Sequence, residues 1–185
     1  MTDARRRPSI AAVSDDARWR ALVREVPDFP RPGVLFRDIT PLLYDPAALR
    51  AANDALAERA RAFTPAVVAG IEARGFMFGV PVAERLGLPF VPVRKPGKLP
   101  AAYASVAYAL EYGEAELQLH EEPSVAGKRV LVVDDLLATG GTAEAAARLV
   151  HALGGSVAGF AFFVELAELG GRARLAAPVT ALVTF

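Results

Sequence analysis

The chain has 185 residues, 53% of them hydrophobic and 23% charged, and its 21 basic and 21 acidic side chains cancel. That length suits one domain with a substantial core, and the even charge argues against a general nucleic-acid binder. With no cysteine, disulfides, thiol nucleophiles and Cys-based zinc sites are excluded. Arg5, Arg6 and Arg7 open the chain, but no apolar signal core follows before Ser14, Asp15 and Asp16. No apolar run is long enough to cross a membrane, so a soluble cytoplasmic protein with no membrane partner is expected. Residues 1–17 read as a flexible tail. Ser14 or Asp15 offers a helix cap, and Trp19, Leu22, Val23 and Val26 then share one helical face.

Residues 27–45, "PDFPRPGVLFRDITPLLYD", hold prolines and Gly33 that forbid a long regular element. They also carry Phe29, Leu35, Phe36 and Ile39, so this loop should fold onto something, with Phe29 as a core plug. Asp45-Pro46 is a helix start, continued by Leu49, Leu56, Ala60 and Phe63. The pattern then alternates. Residues 66–71 read as a buried strand, 75–87 as a helix with Pro81 limiting its regular start, and 90–94 as a second strand. Residues 128–135 read as a third strand, 142–154 as a helix stopped by Gly154 and Gly155, and 157–166 and 179–185 as further strands. Short apolar strands separated by helices predict a parallel sheet covered on both faces. Residues 103–120 instead show a period of two around Gly113, which predicts a two-stranded excursion.

The most informative stretch is "VLVVDDLLATGGT", residues 130–142. Ligands of open parallel sheets bind beyond the carboxyl ends of strands, and Asp134 and Asp135 sit at such an end. The following loop, 136–142, has no bulky side chain over its backbone N–H groups around Ala138. Gly140 and Gly141 permit positive φ and close approach, and Thr139 and Thr142 add hydroxyl donors. The next helix directs its N-terminus at the same place, completing a phosphate site. The carboxylates repel phosphate, so they need hydroxyls or a metal ion. A ribose 5-phosphate offers a phosphate and, close by, a vicinal diol. The chain has neither G-x-x-x-x-G-K-[ST] nor a G-x-G fingerprint, which argues against nucleotide hydrolysis and dinucleotide binding.

The complete stretch resembles the signature of the type I phosphoribosyltransferases. "PDFPRPGVLFRDITPLL" (27–43), "GIEARGFMFG" (70–79), "VRKPGKLP" (93–100) and "LEYG" (110–113) are similar, in order, to the adenine branch of that family. The likeness runs from about residue 18 to the C-terminus. It implies an α/β fold: an open, mostly parallel twisted sheet with helices on both faces. To this it adds a small N-terminal hood at about 27–45 and a mobile two-stranded flap at about 95–120, in a single domain over 18–185. The implied reaction is purine salvage, converting adenine and phosphoribosyl pyrophosphate to AMP and pyrophosphate.

By the same resemblance, Arg74 binds pyrophosphate beside a cis peptide between Glu72 and Ala73. Arg94, Lys95 and Lys98 are cations for the leaving group. Mg²⁺ is expected to act with them, held mainly through the substrate's pyrophosphate and ribose hydroxyls. Some of these cations reach a neighbouring subunit's site in the family, which implies a homodimer. Asp134, Asp135 and the backbone of 138–142 take the ribose phosphate. Phe36 stacks on adenine while the backbone near Leu35 and Arg37 reads its edge. Glu111 faces the imidazole-ring nitrogen and assists proton transfer, with Tyr112 beside it on the flap. Glu111, Arg74 and Lys95 are thus the implied catalytic residues, and Gly97 and Gly113 the implied hinges of a flap that excludes water. His120 and His151 match nothing catalytic, and they are too few for a metal site. Two alternatives stay open: transfer to another purine base, and a regulator that senses phosphoribosyl pyrophosphate.

Overall fold

The computed structural model describes residues 15–109 and 114–185, and the chain divides into two compact units, residues 1–48 and 49–185. In the first, helix α1 (Asp15–Ala21) is followed by strand β1 (Arg24–Val26), which pairs antiparallel with β2 (Phe36–Asp38). The helix therefore stops before Val26, which the sequence pattern assigned to its apolar face. Val26 pairs instead with Phe36. Pro27 supplies the reason, because a residue before proline is driven out of the helical region into an extended one. Trp19 and Val23 are buried as expected. Phe29 is not the core plug the sequence suggested: it is 51% exposed, and its ring meets Phe36 edge-on at 5.2 Å.

Helix α2 (Thr40–Leu43) has Pro41 in its first turn, where a missing N–H costs nothing. The Asp38 carboxylate accepts from the Thr40 amide at 2.9 Å and its hydroxyl at 2.6 Å. Helix α3 (Pro46–Arg61) starts where Asp45-Pro46 predicts. Asp45 Oδ1 accepts from the amides of Ala47 and Ala48 at 3.0 and 2.9 Å, satisfying donors that the helix itself cannot. Ala52, Leu56 and Ala60 form its buried stripe.

The second unit is built on a five-stranded sheet whose ladders all run parallel. Its strands are β3 (Val67–Ile71), β4 (Phe90–Val93), β7 (Arg129–Leu137), β8 (Ser156–Glu165) and β9 (Val179–Thr184), in the spatial order β4-β3-β7-β8-β9. All five residues of β3 are buried, as befits a strand covered on both faces. Its odd positions Val67, Ala69 and Ile71 share a core with Val130 and Val132 of β7 and with helix α5 (Gly141–Ala152), through Ala145, Ala146, Leu149 and Val150. Helix α4 (Gly75–Leu86) covers the opposite face, where Phe78 stacks on Phe163 with centroids 5.5 Å apart.

Between β4 and β7 the predicted excursion is a hairpin, β5 (Tyr103–Ala109) with β6 (Glu114–His120), paired from Tyr103↔His120 to Ala109↔Glu114. Leu117 and Leu119 of β6 are buried in the α5-side core. Arg94 and Gln118 exchange two backbone hydrogen bonds, of 2.8 and 2.7 Å, tying the end of β4 to the hairpin. Glu111, Tyr112 and Gly113 lie outside the described residues. No helix among the described residues is long and apolar enough to cross a membrane.

One boundary differs in a way that matters for the site. The sequence ends the third strand at Asp135, but β7 continues through Leu136 and Leu137, paired with β8 as far as Leu137↔Glu165. Both extra residues are apolar and have ladder partners, so the sheet retains them. The loop before α5 shrinks from 136–142 to 138–140.

Candidate active site

Strands β3 and β7 are parallel neighbours, paired up to Gly70↔Val133. The residues just beyond the end of β3 therefore lie beside the carboxyl end of β7. After β3 come Glu72, Ala73 and Arg74, with the expected cis peptide between Glu72 and Ala73. Near the end of β7 come Asp134 and Asp135. Arg74 Nε stands 2.7 Å from Asp135 Oδ2, the arginine half exposed and the carboxylate almost wholly buried. Burial pushes the Asp135 carboxyl up, and the Arg74 charge opposes this without cancelling it. Burial and then the adjacent Asp135 charge push Asp134 well above its ordinary value, against the Asp135 amide that donates to its Oδ1 at 2.9 Å.

Gly75 makes this approach of α4 possible. A Cβ at Gly75 would lie 2.7 Å from the Val133 carbonyl oxygen and 3.0 Å from Asp134 Oδ1. Only glycine brings the start of α4 so near the carboxylates.

Glu72 organises the neighbouring basic loop. Its Oε2 accepts from the Lys95 amide at 2.8 Å and from Arg94 Nε at 2.9 Å. Burial raises this carboxyl, but the Lys95 and Arg94 bonds outweigh burial and hold it below its ordinary value. The Arg94 guanidinium also lies 5.9 Å from the centre of the Phe76 ring. Arg94 is thus engaged with the loop's own support, whereas Lys95 and Lys98 are exposed.

On the other side, Gly140 adopts φ +83° and caps α5. Thr142 Oγ1 donates to the Tyr108 hydroxyl at 3.4 Å, joining the helix start to the hairpin. A cavity of about 450 Å³ opens between these elements, lined by Glu72, Ala73, Arg74, Lys95, Tyr108, Ala115, Asp134, Asp135 and Thr142. Five residues singled out in the sequence meet here: Arg74, Lys95, Asp134, Asp135 and Thr142. Arg94, Lys98, Ala138, Thr139, Gly140 and Gly141 are not among the lining residues. Tyr108 and Ala115 escaped sequence reasoning, because they sit in an alternating hairpin with no local mark of function.

In the first unit, Leu35 is 45% exposed and Phe36 keeps its edge contact with Phe29. Arg37 is ion-paired with Glu25, its neighbour across the β1–β2 ladder. His120 and His151 face the backbone carbonyls of Ala102 and Gly155, and neither lines the cavity.

No three carboxylate or histidine groups among the described residues converge on a point that would hold a metal ion by themselves. The donor set is Asp134 and Asp135, one of them already paired with Arg74. Such a pair fits Mg²⁺, which keeps its waters and binds through one or two carboxylates together with substrate phosphates.

The phosphoribosyl transferase domain family matches residues 40–180. An adenine phosphoribosyltransferase of Sorangium cellulosum is 60% identical over 172 residues, covering 90% of this chain and 86% of its own. The crystal structure of adenine phosphoribosyltransferase from Thermoanaerobacter pseudethanolicus superposes with a TM-score of 0.87 at 47% identity, covering 91% of this chain and 98% of its own. The Saccharomyces cerevisiae enzyme, solved with an imino-altritol bisphosphate and adenine, superposes at 0.86 with 37% identity, covering 91% and 98%. The chain belongs to the phosphoribosyltransferase family and, within it, to the adenine phosphoribosyltransferases.

Proposed function

We propose that this chain converts adenine and phosphoribosyl pyrophosphate to AMP and pyrophosphate, in purine salvage. The observation that carries the reading is the meeting of Arg74, Lys95, Asp134, Asp135 and Thr142 on one cavity at the carboxyl edge of a parallel sheet. Residues 18–185 act as one phosphoribosyltransferase domain, while helix α1 already begins at Asp15, inside the stretch expected to be a tail, and residues 1–14 lie outside the described residues. The 5′-phosphate sits on the backbone of 138–142 at the start of α5. Asp134 and Asp135 accept hydrogen bonds from the ribose hydroxyls.

Arg74, Lys95 and Lys98 face the pyrophosphate, which gains negative charge as it leaves. Arg94 supports them through Glu72. Phe36 stacks on adenine, and the backbone near Leu35 and Arg37 reads its edge. An imidazole-ring nitrogen of adenine bonds to the anomeric carbon, and the bond from that carbon to pyrophosphate oxygen breaks. Pyrophosphate keeps the electron pair, and Glu111 takes part in transfer of the proton that adenine releases. Mg²⁺, bound with the donor, supplies further charge neutralisation. The flap, with Tyr112, excludes water that would otherwise hydrolyse the donor. The working form is a cytoplasmic homodimer in which some cations of the site come from the neighbouring subunit.

The direct test follows pyrophosphate release from phosphoribosyl pyrophosphate and Mg²⁺ with adenine, hypoxanthine, guanine or xanthine in parallel. Adenine is expected to be the preferred acceptor. Turnover of another base with none of adenine would overturn the assignment, and donor binding with no turnover of any base would point to a sensor.

A further inference from the structure

The C-terminal segment beyond β8 belongs to none of the motifs that build the cavity. After Glu165 the chain makes two short 3₁₀ turns, Ala167–Leu169 and Gly171–Arg174, before entering β9. The second turn touches the phosphate loop without space to spare. A Cβ on Gly171 would stand 2.1 Å from the Ala138 carbonyl oxygen and 2.9 Å from the Gly140 nitrogen. Reciprocally, a Cβ on Gly140 would stand 2.6 Å from the Gly171 carbonyl oxygen. Two backbones lie in direct contact here, with no side chain between them.

The turn cannot retreat from this contact. Arg172 Nε donates to Glu165 Oε1 at 2.9 Å, its second nitrogen pairs with Glu165 Oε2, and its third donates to the Val179 carbonyl at 2.8 Å. This two-pronged grip fixes orientation as well as distance. Arg174 reaches Glu144 of α5 at 2.9 Å. Glu165 is itself buried and held in the β8 ladder against Leu137. The phosphate loop, by contrast, is three residues between β7 and α5, with Gly140 in the left-handed region. Any added bulk between the two moves the loop.

We propose that Gly171 is a positioning residue for the phosphate donor: its backbone is the floor that sets the height of the 138–140 loop, and the Arg172–Glu165 pair locks that floor in place. This rests on the reading of 138–142 as the 5′-phosphate site. It goes further by assigning the loop's geometry to a segment outside the motif.

Two neighbouring glycines allow a clean test, because their backbones differ. Gly170 lies at φ +64° with nothing within 4 Å of a Cβ, so Gly170→Ala strains the backbone but pushes nothing. Gly171 is not in that region, so the effect of Gly171→Ala comes from the contact with Ala138. Each variant is titrated by calorimetry with ribose 5-phosphate and with adenine, alongside a thermal melt. Gly171→Ala is expected to weaken ribose 5-phosphate roughly tenfold to a hundredfold, the scale of one lost hydrogen bond to a charged group, while adenine affinity holds. Gly170→Ala is expected to lower the melting temperature and keep wild-type affinity for ribose 5-phosphate. Wild-type affinity in Gly171→Ala, or equal losses for both ligands, overturns the positioning role. Failure of the unmodified protein to bind ribose 5-phosphate at all overturns the phosphate-site reading first. If Gly171→Ala does not fold, Arg172→Lys decides. Arg172→Lys keeps the charge but loses the fork, and ribose 5-phosphate affinity unchanged by it refutes the lock.

Discussion

Arg74 Nε lies 2.7 Å from Asp135 Oδ2, so the cation proposed for pyrophosphate is already paired with a carboxylate proposed for the sugar. Removing either side has two separable consequences. Arg74→Ala leaves a buried carboxylate without its countercharge and should cost roughly 1–3 kcal/mol of stability. It should also raise the Michaelis constant for the donor. Adding Asp135→Asn to that variant should restore much of the stability and none of the donor affinity. Denaturant unfolding and donor titration of both single variants and the double variant check this. A double variant as unstable as Arg74→Ala would break the link.

Asp134 makes unfolding depend on pH in a definite direction. Its carboxyl is raised in the folded chain by burial and then by the Asp135 charge, above an ordinary value of 3.8. A raised carboxyl favours folding fully below the ordinary value, and that contribution is lost as pH rises through the folded value. Asp134→Asn, which mimics the neutral acid, should therefore match the wild type near about pH 3 and become progressively more stable than it toward about pH 8. Thermal melts without ligand across that range test the sign. The same variant should bind the donor more weakly, since an amide accepts hydroxyl hydrogen bonds less well than a carboxylate.

Glu111 is proposed for chemistry more than for binding. Glu111→Ala should lower the turnover number by about 100-fold, within the range of general acid–base contributions. The Michaelis constant for phosphoribosyl pyrophosphate should stay near the wild-type value. Steady-state kinetics separate the two, and an unchanged turnover number removes Glu111 from this role.

Asp38 sets an acid limit on the first unit. Its carboxyl is lowered from 3.8 to about 2, first by the Thr40 hydroxyl, then by the Thr40 amide, with Arg24 adding to both. A lowered carboxyl stabilises the fold above the ordinary value, and the effect fades as pH falls from 3.8 toward about 2. Asp38→Ala should cost about 1 kcal/mol at neutral pH, the scale of a lost helix-start cap. The gap from wild type should close as the pH approaches about 2. A gap that stays constant across that window would refute the assignment.

Most of the sheet could be read along the chain because its strands are apolar runs bounded by Pro and Gly. The starts of α3 and α5 were equally readable, since Asp45-Pro46 and the glycines at 140 and 141 act locally. Val26 left its helix because of Pro27 and a partner at Phe36. β7 kept Leu136 and Leu137 because β8 offered ladder partners. Phe29 is exposed rather than central. For β7 and Phe29 a contact distant in sequence, or the lack of one, overrode local preference, whereas at Val26 the adjacent proline acted together with the distant partner.

The sequence by itself determined the chemistry available: two carboxylates, a loop of small residues at a helix start, a basic run, and an arginine after a buried strand. Hydrophobic period and turn residues encode these within a few positions, so they survive reading in one dimension. Only the tertiary structure decided that β3 lies beside β7, which puts Arg74 against Asp135. It alone decided that Tyr108 meets Thr142, and that Gly171 lies against the 138–140 loop. Strand order and backbone-to-backbone approach depend on how the whole core closes, and no short stretch of the chain records them.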